Sequence, residues 1–157
     1  MKKKIMFISS TGGHLNEMMQ LQDLIVNNDS YIVTEKTKSN LNLKSKYKNK
    51  VSFLVYGTKD HLFTYIFKFI YNVIKSLLIY FKVAPNYIIT TGTHTAVPMC
   101  YWGKLFGSRI IYIETFANIK TKTLAGKIVY PIADKFIVQW PSMKKLYKNS
   151  IYGGWNY

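Results

Sequence analysis

Short apolar runs alternate along the chain with longer segments whose apolar residues recur at helical spacing. Runs that are short and apolar throughout are typical of strands buried on both faces of a parallel sheet. The strand-like runs are residues 5–9, 31–34, 51–56, 86–90, 109–113 and 135–138, and the helix-like segments are 15–26, 60–82, 96–106, 124–132 and 139–147. The alternation predicts an α/β fold, a doubly wound parallel sheet in one domain over residues 1–157. The lysine-rich segment 35–50 is predicted to be a mobile basic loop.

The segment 60–82 is the most unusual of the predicted helices, because apolar residues cover most of its circumference. Its lysines, Lys68, Lys75 and Lys82, recur every seven residues and therefore follow one narrow polar stripe. Beside them on this stripe fall His61, Thr64, Tyr65 and Asn72. A helix packed on one side of a sheet needs an apolar stripe of only about a third of its circumference. The surplus apolar surface predicts a second contact, either with a membrane or with a partner protein.

Membrane contact at the lipid surface fits the segment 60–82 better than a transmembrane span. Two lysines would lie within a span, at a cost of about 2.5–3.5 kcal/mol each near the bilayer centre. In an interfacial helix, aromatic side chains enter the acyl boundary while lysines contact anionic headgroups. The predicted membrane-binding residues are Phe63, Phe67, Lys68, Ile70, Tyr71, Ile74, Lys75, Leu78, Phe81 and Lys82. In the alternative, the helix is sandwiched between the sheet and a partner protein.

Three polar loops follow predicted strands, and two of them carry glycine and histidine. They are residues 9–15 (Ser-Ser-Thr-Gly-Gly-His-Leu), residues 91–95 (Thr-Gly-Thr-His-Thr) and a loop that begins at Glu114. Glycines let the backbone approach an anion, and the start of a following helix offers unpaired N–H groups. Because ligands bind beyond the carboxyl ends of such strands, the loops predict one site for a phosphate-bearing ligand. The candidate residues are Ser10, Thr11, Gly12, Gly13, His14, Gly92, Thr93, His94 and Glu114.

The residue types in these loops limit the chemistry of the site. The two histidines suit hydrogen bonding to a phosphate or a sugar, or else they are capping or core histidines. Glu114 ends an apolar strand, where it could be a base, orient a sugar hydroxyl or anchor a loop. His14 and Glu114 are therefore the candidate catalytic residues, and no metal site is expected. The first loop lacks both the Walker sequence and the three-glycine dinucleotide fingerprint, so no nucleotide cofactor is expected.

Charge and composition indicate an anionic partner without identifying it. The 157 residues include 22 Lys+Arg against 7 Asp+Glu, a formal net charge of +15. Nucleic acid, anionic lipid and phosphorylated ligands all fit such an excess. Arg109 is the only arginine, which favours diffuse attraction to a surface over base-specific readout. The lone Cys100 and the short apolar run after the first lysines predict a reducing compartment and no signal peptide.

Taken together, these residues resemble the N-terminal half of a GT-B glycosyltransferase. The similarity rests on residues 9–15 with Glu17 and Met18, on 91–93 with Pro98, on 113–117 (Ile-Glu-Thr-Phe-Ala) and on 152–154 (Tyr-Gly-Gly). It covers essentially the whole chain. The family it resembles most is the accessory, acceptor-side subunit of split N-acetylglucosaminyltransferases in lipid-linked oligosaccharide synthesis. Its bacterial relatives are capsular and exopolysaccharide proteins that enhance a separate galactosyl- or glucosyltransferase chain.

This resemblance implies a Rossmann-like fold and a half-site subunit that is inactive or weakly active alone. The lipid-I glycosyltransferase of peptidoglycan synthesis shares this half, and there the matching loops face the diphosphate of a polyprenyl-linked acceptor. A separate catalytic chain, the other GT-B half, would then bring the UDP-sugar. The chain is expected to be a peripheral protein at the cytoplasmic face of the bacterial cell membrane, acting in capsular or surface polysaccharide synthesis.

Two departures from the family pattern affect these expectations. Eukaryotic members are expected to begin with a transmembrane anchor. None is predicted in this sequence, so the segment 60–82 would have to serve instead. Asn118 stands where relatives tend to carry a basic residue. The alternative functions are a basic nucleic-acid-binding α/β domain and a small glycosyltransferase that acts alone.

Overall fold

Strands and helices alternate through the part of the chain that the computed structural model describes, residues 3–57 and 62–155, with only the backbone of residues 62 and 63. The strands are β1 (Lys4–Ile8), β2 (Asp29–Glu35), β3 (Val51–Leu54), β4 (Tyr87–Thr90), β5 (Arg109–Ile113), β6 (Lys135–Val138) and β7 (Ile151–Tyr152). The helices are α1 (Gly13–Met19), α2 (Gln22–Asn27), α3 (Leu43–Tyr47), α4 (Leu62–Val83), α5 (Val97–Leu105) and α6 (Leu124–Val129).

All these strands lie in one sheet, in the order β3-β2-β1-β4-β5-β6-β7, and every neighbouring pair is parallel. The chain first moves outward from β1 to β2 and β3, and it then returns to β4 on the other side of β1. This is a doubly wound, Rossmann-like sheet, and the predicted fold class is confirmed. Its topological switch point lies between β1 and β4, where such sheets bind their ligands.

The helices cover both faces of the sheet, because alternate side chains of each strand point to opposite faces. On β1, Phe7 packs in one core with Leu15 and Met18 of α1, and this core continues beneath α2 and α3. Met6 and Ile8 of the same strand belong to the other core, beneath α4, α5 and α6. The helices α1 to α3 therefore cover one face of the sheet, called the α1–α3 face, and α4 to α6 cover the other, called the α4–α6 face.

Several elements differ from the pattern-based prediction. The predicted helix 139–147 is only a 3₁₀ turn, Pro141–Lys145. The predicted helix 15–26 is divided, since α1 ends at Met19 and α2 begins only at Gln22. The sheet also gains a strand that was not predicted, β7, whose two residues are both exposed. An exposed two-residue strand has neither the apolar run nor the alternation by which strands are recognised.

The prediction of a mobile loop at residues 35–50 is wrong. The segment contains α3 and two short 3₁₀ turns, Lys38–Asn40 and Lys48–Lys50. The buried Asn40 side chain donates to the Glu35 carbonyl oxygen at 2.7 Å and accepts from the Thr37 N–H at 3.0 Å. Local capping of this kind and the burial of Leu43 give the segment an ordered structure. Its lysine-rich composition, which is typical of a solvated connector, did not indicate this.

The long helix α4 covers the predicted segment from Leu62 and ends one residue beyond it, at Val83; residues 60 and 61 lie outside the described part of the chain. At its end Ala84 takes a φ of +47°, and its N–H donates to the Tyr80 carbonyl oxygen, before Pro85 stops the helix. The predicted polar stripe is not a continuous surface, because Asn72 is buried and pairs with both the N–H and the carbonyl of Val55. This polar residue therefore fastens the helix to the end of β3.

Candidate functional site

A cavity of about 360 Å³ opens at the carboxyl edge of the sheet, beside the switch point between β1 and β4. It is lined by residues of four helices and of the loop after β4, and the β5 side chain Tyr112 also contributes. The lining residues are His14, Tyr65, Phe69, Thr93, His94, Val97, Tyr112, Thr123, Leu124, Ala125 and Ile128. Three predicted site residues, His14, Thr93 and His94, thus come together in one cavity with mostly apolar walls.

His14 is held in one orientation by the end of β4. Its Nδ1 lies 2.9 Å from the Thr91 carbonyl oxygen, and because a carbonyl only accepts, Nδ1 carries the proton of this bond. The Thr91 hydroxyl returns a hydrogen bond to the His14 carbonyl oxygen at 2.7 Å. With Nδ1 fixed in this way, the opposite nitrogen, Nε2, remains for a ligand in the cavity. The reciprocal bonds also join the first glycine-rich loop to the second.

The loop after β4 has an unusual backbone where it meets the cavity. Gly92 has a φ of +103°, and a Cβ at this position would lie 2.8 Å from the Tyr112 hydroxyl oxygen. Thr93 follows with a φ of +80°, which is a genuine outlier for a β-branched residue. The Thr93 hydroxyl oxygen is buried and has no hydrogen-bond partner among the described residues. Strain and an unpaired hydroxyl at a cavity wall are typical of a ligand-binding loop.

Glu35, at the end of β2, is a buried carboxylate that the sequence pattern did not identify as part of the site. It accepts from the Thr95 hydroxyl at 2.5 Å and from the Thr11 N–H at 3.4 Å, so it connects both glycine-bearing loops. The His94 Nε2 lies 3.9 Å from the same carboxylate. The ring of Tyr65 on α4 lies 5.5 Å from the His94 ring, and burial, followed by the Glu35 charge, raises the pKa of the Tyr65 hydroxyl.

Glu17 is a second buried carboxylate near the cavity. One of its oxygens accepts from the Thr115 hydroxyl at 3.0 Å and from the Phe116 N–H at 2.8 Å. The other oxygen lies 3.8 Å from His14 Nδ1 and makes no hydrogen bond with the described residues. Glu17 therefore joins α1 to the loop after β5, and it places negative charge behind the His14 ring.

Glu114 lies beneath the cavity and not on its wall. It is 1% exposed, and its carboxylate accepts from the Tyr147 hydroxyl at 2.7 Å and from the Thr123 hydroxyl at 2.9 and 3.0 Å. Burial and the Glu114 hydrogen bond raise the pKa of Tyr147 above its usual range. A Cβ on Gly126 would collide with this same group of oxygens. Its buried hydrogen bonds match the loop-anchor role for Glu114, and through Thr123 it supports the cavity wall.

The remaining predicted residues of the first loop lie away from the cavity lining. Gly12 and Gly13 are exposed, and a Cβ on either would meet no atom within 4 Å. Ser10 is buried, and its hydroxyl donates to the Thr11 carbonyl oxygen at 3.3 Å. Since α1 has only seven residues and no side-chain cap, its dipole is too small to define an anion site by itself.

A broad apolar surface adjoins the cavity on the α4–α6 face. Along α4 the exposed apolar side chains are Ile66, Phe67, Ile70, Tyr71, Ile74, Leu78 and Phe81, and α5 and α6 add Tyr101, Leu105, Leu124 and Ile128. We call these residues the apolar face. Lys68 and Lys82 are exposed and Lys75 is half-buried, while the predicted contact Phe63 lies outside the described side chains. Leu124 and Ile128 belong both to this face and to the cavity wall.

Two further properties concern metals and membrane crossing. No group of three or more His, Cys, Asp or Glu side chains within the described ranges is arranged to hold a metal ion. None of the helices in the described part of the chain combines the length and the apolar content needed to cross a bilayer.

Comparison with known families decides the assignment of the chain. The model of the family described as "Oligosaccharide biosynthesis protein Alg14 like" matches residues 5–156. The chain belongs to the Alg14-like family. The resemblance inferred from the glycine-rich loops is thereby confirmed, as is the assignment to oligosaccharide biosynthesis.

Two eukaryotic relatives of the chain show moderate similarity to it. The chain is 29% identical to the UDP-N-acetylglucosamine transferase subunit alg14 of Schizosaccharomyces pombe over 174 residues, covering 98% of this chain and 83% of the relative. It is 33% identical to the corresponding subunit of Rattus norvegicus over 95 residues, which is 57% of this chain but only 44% of the rat protein.

Solved structures place the Alg14-like chain among GT-B-type domains. It superposes on Acinetobacter baumannii MurG with a TM-score of 0.70 at 13% identity, covering 96% of this chain and 43% of MurG. The UDP-N-acetylglucosamine 2-epimerase of Rickettsia bellii gives a TM-score of 0.76 at 13% identity, with coverage of 99% and 46%. The chain therefore spans just under half the length of these neighbours, and the likeness concerns the fold alone.

Proposed function

We propose that this chain is the acceptor-side subunit of a two-chain UDP-sugar glycosyltransferase. It lies on a membrane through the apolar face, holds a polyprenyl-diphosphate-linked saccharide in the cavity, and recruits a separate chain that binds the UDP-sugar. We place it at the cytoplasmic face of a bacterial cell membrane, in the assembly of a surface polysaccharide. The names of its relatives, subunits of a UDP-N-acetylglucosamine transferase, support the two-chain arrangement.

One observation carries the proposal: the cavity is continuous with the apolar face. Leu124 is 67% exposed and Ile128 is 38% exposed, yet both also line the cavity that contains the two histidines. A lipid-linked saccharide has a polar head and an apolar tail, and it needs this combination of surfaces next to each other. A soluble nucleotide or a nucleic acid would gain nothing from the exposed leucine and isoleucine.

The polar groups of the cavity suit the head of such an acceptor. His14 offers Nε2, because its Nδ1 is occupied by the Thr91 carbonyl. Thr93 and the ring of His94 line the cavity from the opposite loop. These groups bind phosphate oxygens or saccharide hydroxyls, whereas Glu35, Glu17 and Glu114 position the loops from behind. No cofactor is part of this proposal, and the UDP-sugar belongs to the partner chain.

Replacing His14 tests the acceptor site. His14→Asn keeps a side-chain N–H near the position of Nδ1, so the bond to Thr91 is retained while Nε2 is lost. We expect the dissociation constant for a short-chain polyprenyl-diphosphate saccharide to rise by roughly tenfold, the effect of one hydrogen bond to a charged or polar group. Isothermal titration with the purified chain measures it.

His14→Ala separates the binding role of the imidazole from its structural role. It should weaken binding as much as His14→Asn does, but it should also lower the melting temperature, because the Thr91 carbonyl loses its donor. Unchanged acceptor binding in His14→Asn would show that the imidazole acts only as a connection between the two loops, and the proposed site would be wrong.

A further inference from the structure

A second groove lies at the amino-terminal edge of the sheet, the edge opposite the cavity. It encloses about 770 Å³ between the starts of β1, β4 and β5 and the end of α4. Three cationic side chains line it, Lys3, Lys4 and Arg109, and the aromatic ring of Phe106 forms part of its wall. We call it the basic groove.

The positive charge of the basic groove is not neutralised by the nearest carboxylates. No acidic residue is among the described residues that line it, and none of its three cations forms an ion pair within 4.0 Å of another described residue. Asp134 lies close to Arg109, but it is engaged by Lys104 at 2.9 Å and by the Ile110 N–H at 2.8 Å. Asp29, in the adjoining cleft beside Lys4, is paired with Lys50 at 2.8 Å. The groove is therefore a strongly cationic concavity in which an anion would find several donors.

The basic groove is continuous with the apolar face. The ring of Phe106 in its wall lies 4.9 Å from the ring of Phe81, which is 58% exposed at the end of α4. Leu105, 69% exposed, lies next to Phe106 in the chain. A soluble phosphate compound would make no use of this apolar border. A phospholipid would use both surfaces, because its phosphate binds in a cationic groove and its acyl chains need apolar contacts next to it.

We propose that the basic groove binds the phosphate headgroup of an anionic phospholipid, whose acyl chains lie along Phe81, Leu105 and Phe106. This inference rests on the membrane docking put forward above, and it adds a specific lipid site to it. The helix α4 has 22 residues and is therefore about 33 Å long. It joins the cavity at one end to the basic groove at the other, so a bound phospholipid would fix the orientation of the cavity at the membrane.

Vesicle binding by a variant that lacks two of the groove's positive charges tests the lipid site. The variant is Lys3→Gln with Arg109→Gln, and both side chains are exposed at the starts of their strands. Its matched control is Lys44→Gln with Lys46→Gln, which removes the same charge from α3 on the other face of the sheet. Each is titrated with phosphatidylcholine vesicles with and without phosphatidylglycerol. A headgroup contact is worth about 1 kcal/mol per cation, so the groove variant should bind anionic vesicles about tenfold or more weakly, and the control less than about threefold.

The comparison separates this inference from the proposed function. If the wild-type chain binds neither kind of vesicle, membrane docking itself is wrong. If it binds anionic vesicles but the groove variant and the control lose affinity equally, attraction is diffuse and only the lipid site is wrong. Competition by inorganic phosphate beyond that of chloride at equal ionic strength would make the groove a site for a soluble anion and would also overturn the inference. Arg109→Lys, which keeps the charge, should bind anionic vesicles within about threefold of the wild type.

Discussion

Phe67→Glu combined with Leu78→Glu is expected to raise the dissociation constant for phospholipid vesicles by more than a hundredfold. The two side chains are 64% and 65% exposed on α4, and the proposed function covers them with lipid. Burying one such side chain in an apolar medium contributes about 1.5–3 kcal/mol, and both contributions would be lost together. The two introduced carboxylates would also be repelled by anionic headgroups.

The matched control for this variant uses the opposite face of the sheet. Leu24→Glu with Val26→Glu likewise introduces two carboxylates at exposed apolar positions, here on α2. The control should bind vesicles with an affinity within about threefold of the wild type, because only the general electrostatic attraction changes. Flotation of both variants with the same vesicles measures the difference. Equal loss in both variants would mean that net charge, and not the apolar face, governs membrane binding.

Glu114→Ala is expected to lower the free energy of unfolding by about 3 kcal/mol, because two buried hydroxyls lose their acceptor. These are the hydroxyls of Tyr147 and Thr123, each within 3.0 Å of the carboxylate. For a chain of this length the melting temperature should fall by about 6–12 °C. Thermal unfolding followed by circular dichroism measures it. Asp23→Ala, which removes an exposed carboxylate from the first turn of α2, should cost less than about 1 kcal/mol.

Of the three roles that the sequence left open for Glu114, this result separates the loop anchor from the catalytic base. If Glu114 is a structural anchor, Glu114→Ala mainly lowers the free energy of unfolding, and any loss of sugar transfer follows from the disturbed cavity wall. A catalytic base would behave in the opposite way: Glu114→Ala would keep the wild-type melting temperature while transfer by the two-chain complex was lost. The second outcome would contradict the anchor role described above.

The strands β1 to β6 and the site loops were predictable because local sequence determines them. Apolar runs such as Ile5–Ile8 form strands wherever a sheet can cover both faces, and the polar turn after each must then lie at the same edge. The juxtaposition of His14 and His94 follows from this topology alone. The exposed apolar side of α4 was also predictable, since a helix with so little polar surface cannot bury all of it on one sheet.

Unlike Glu114, the buried carboxylates Glu35 and Glu17 were not predicted as part of the site, because contacts between residues far apart in the chain determine their burial. Glu35 pairs with Thr95, 60 residues away, and Glu17 pairs with Thr115, 98 residues away. In sequence, Glu35 opens a lysine-rich segment and Glu17 lies in an ordinary helical turn. The available signals were weak: Glu35 ends a strand at the ligand edge, and Glu17 stands three residues after His14 among the residues that carry the family resemblance.

Sugar transfer by reconstituted chains tests the central claim most directly. The candidate partner chain, a UDP-sugar and a polyprenyl-diphosphate-linked saccharide are incubated on vesicles with and without this chain, and the extended lipid-linked product is measured. Substantial product is expected only when both chains are present, with little or none from either alone. Equal product from the partner alone, or full activity of this chain alone, would contradict the account of an acceptor-side subunit.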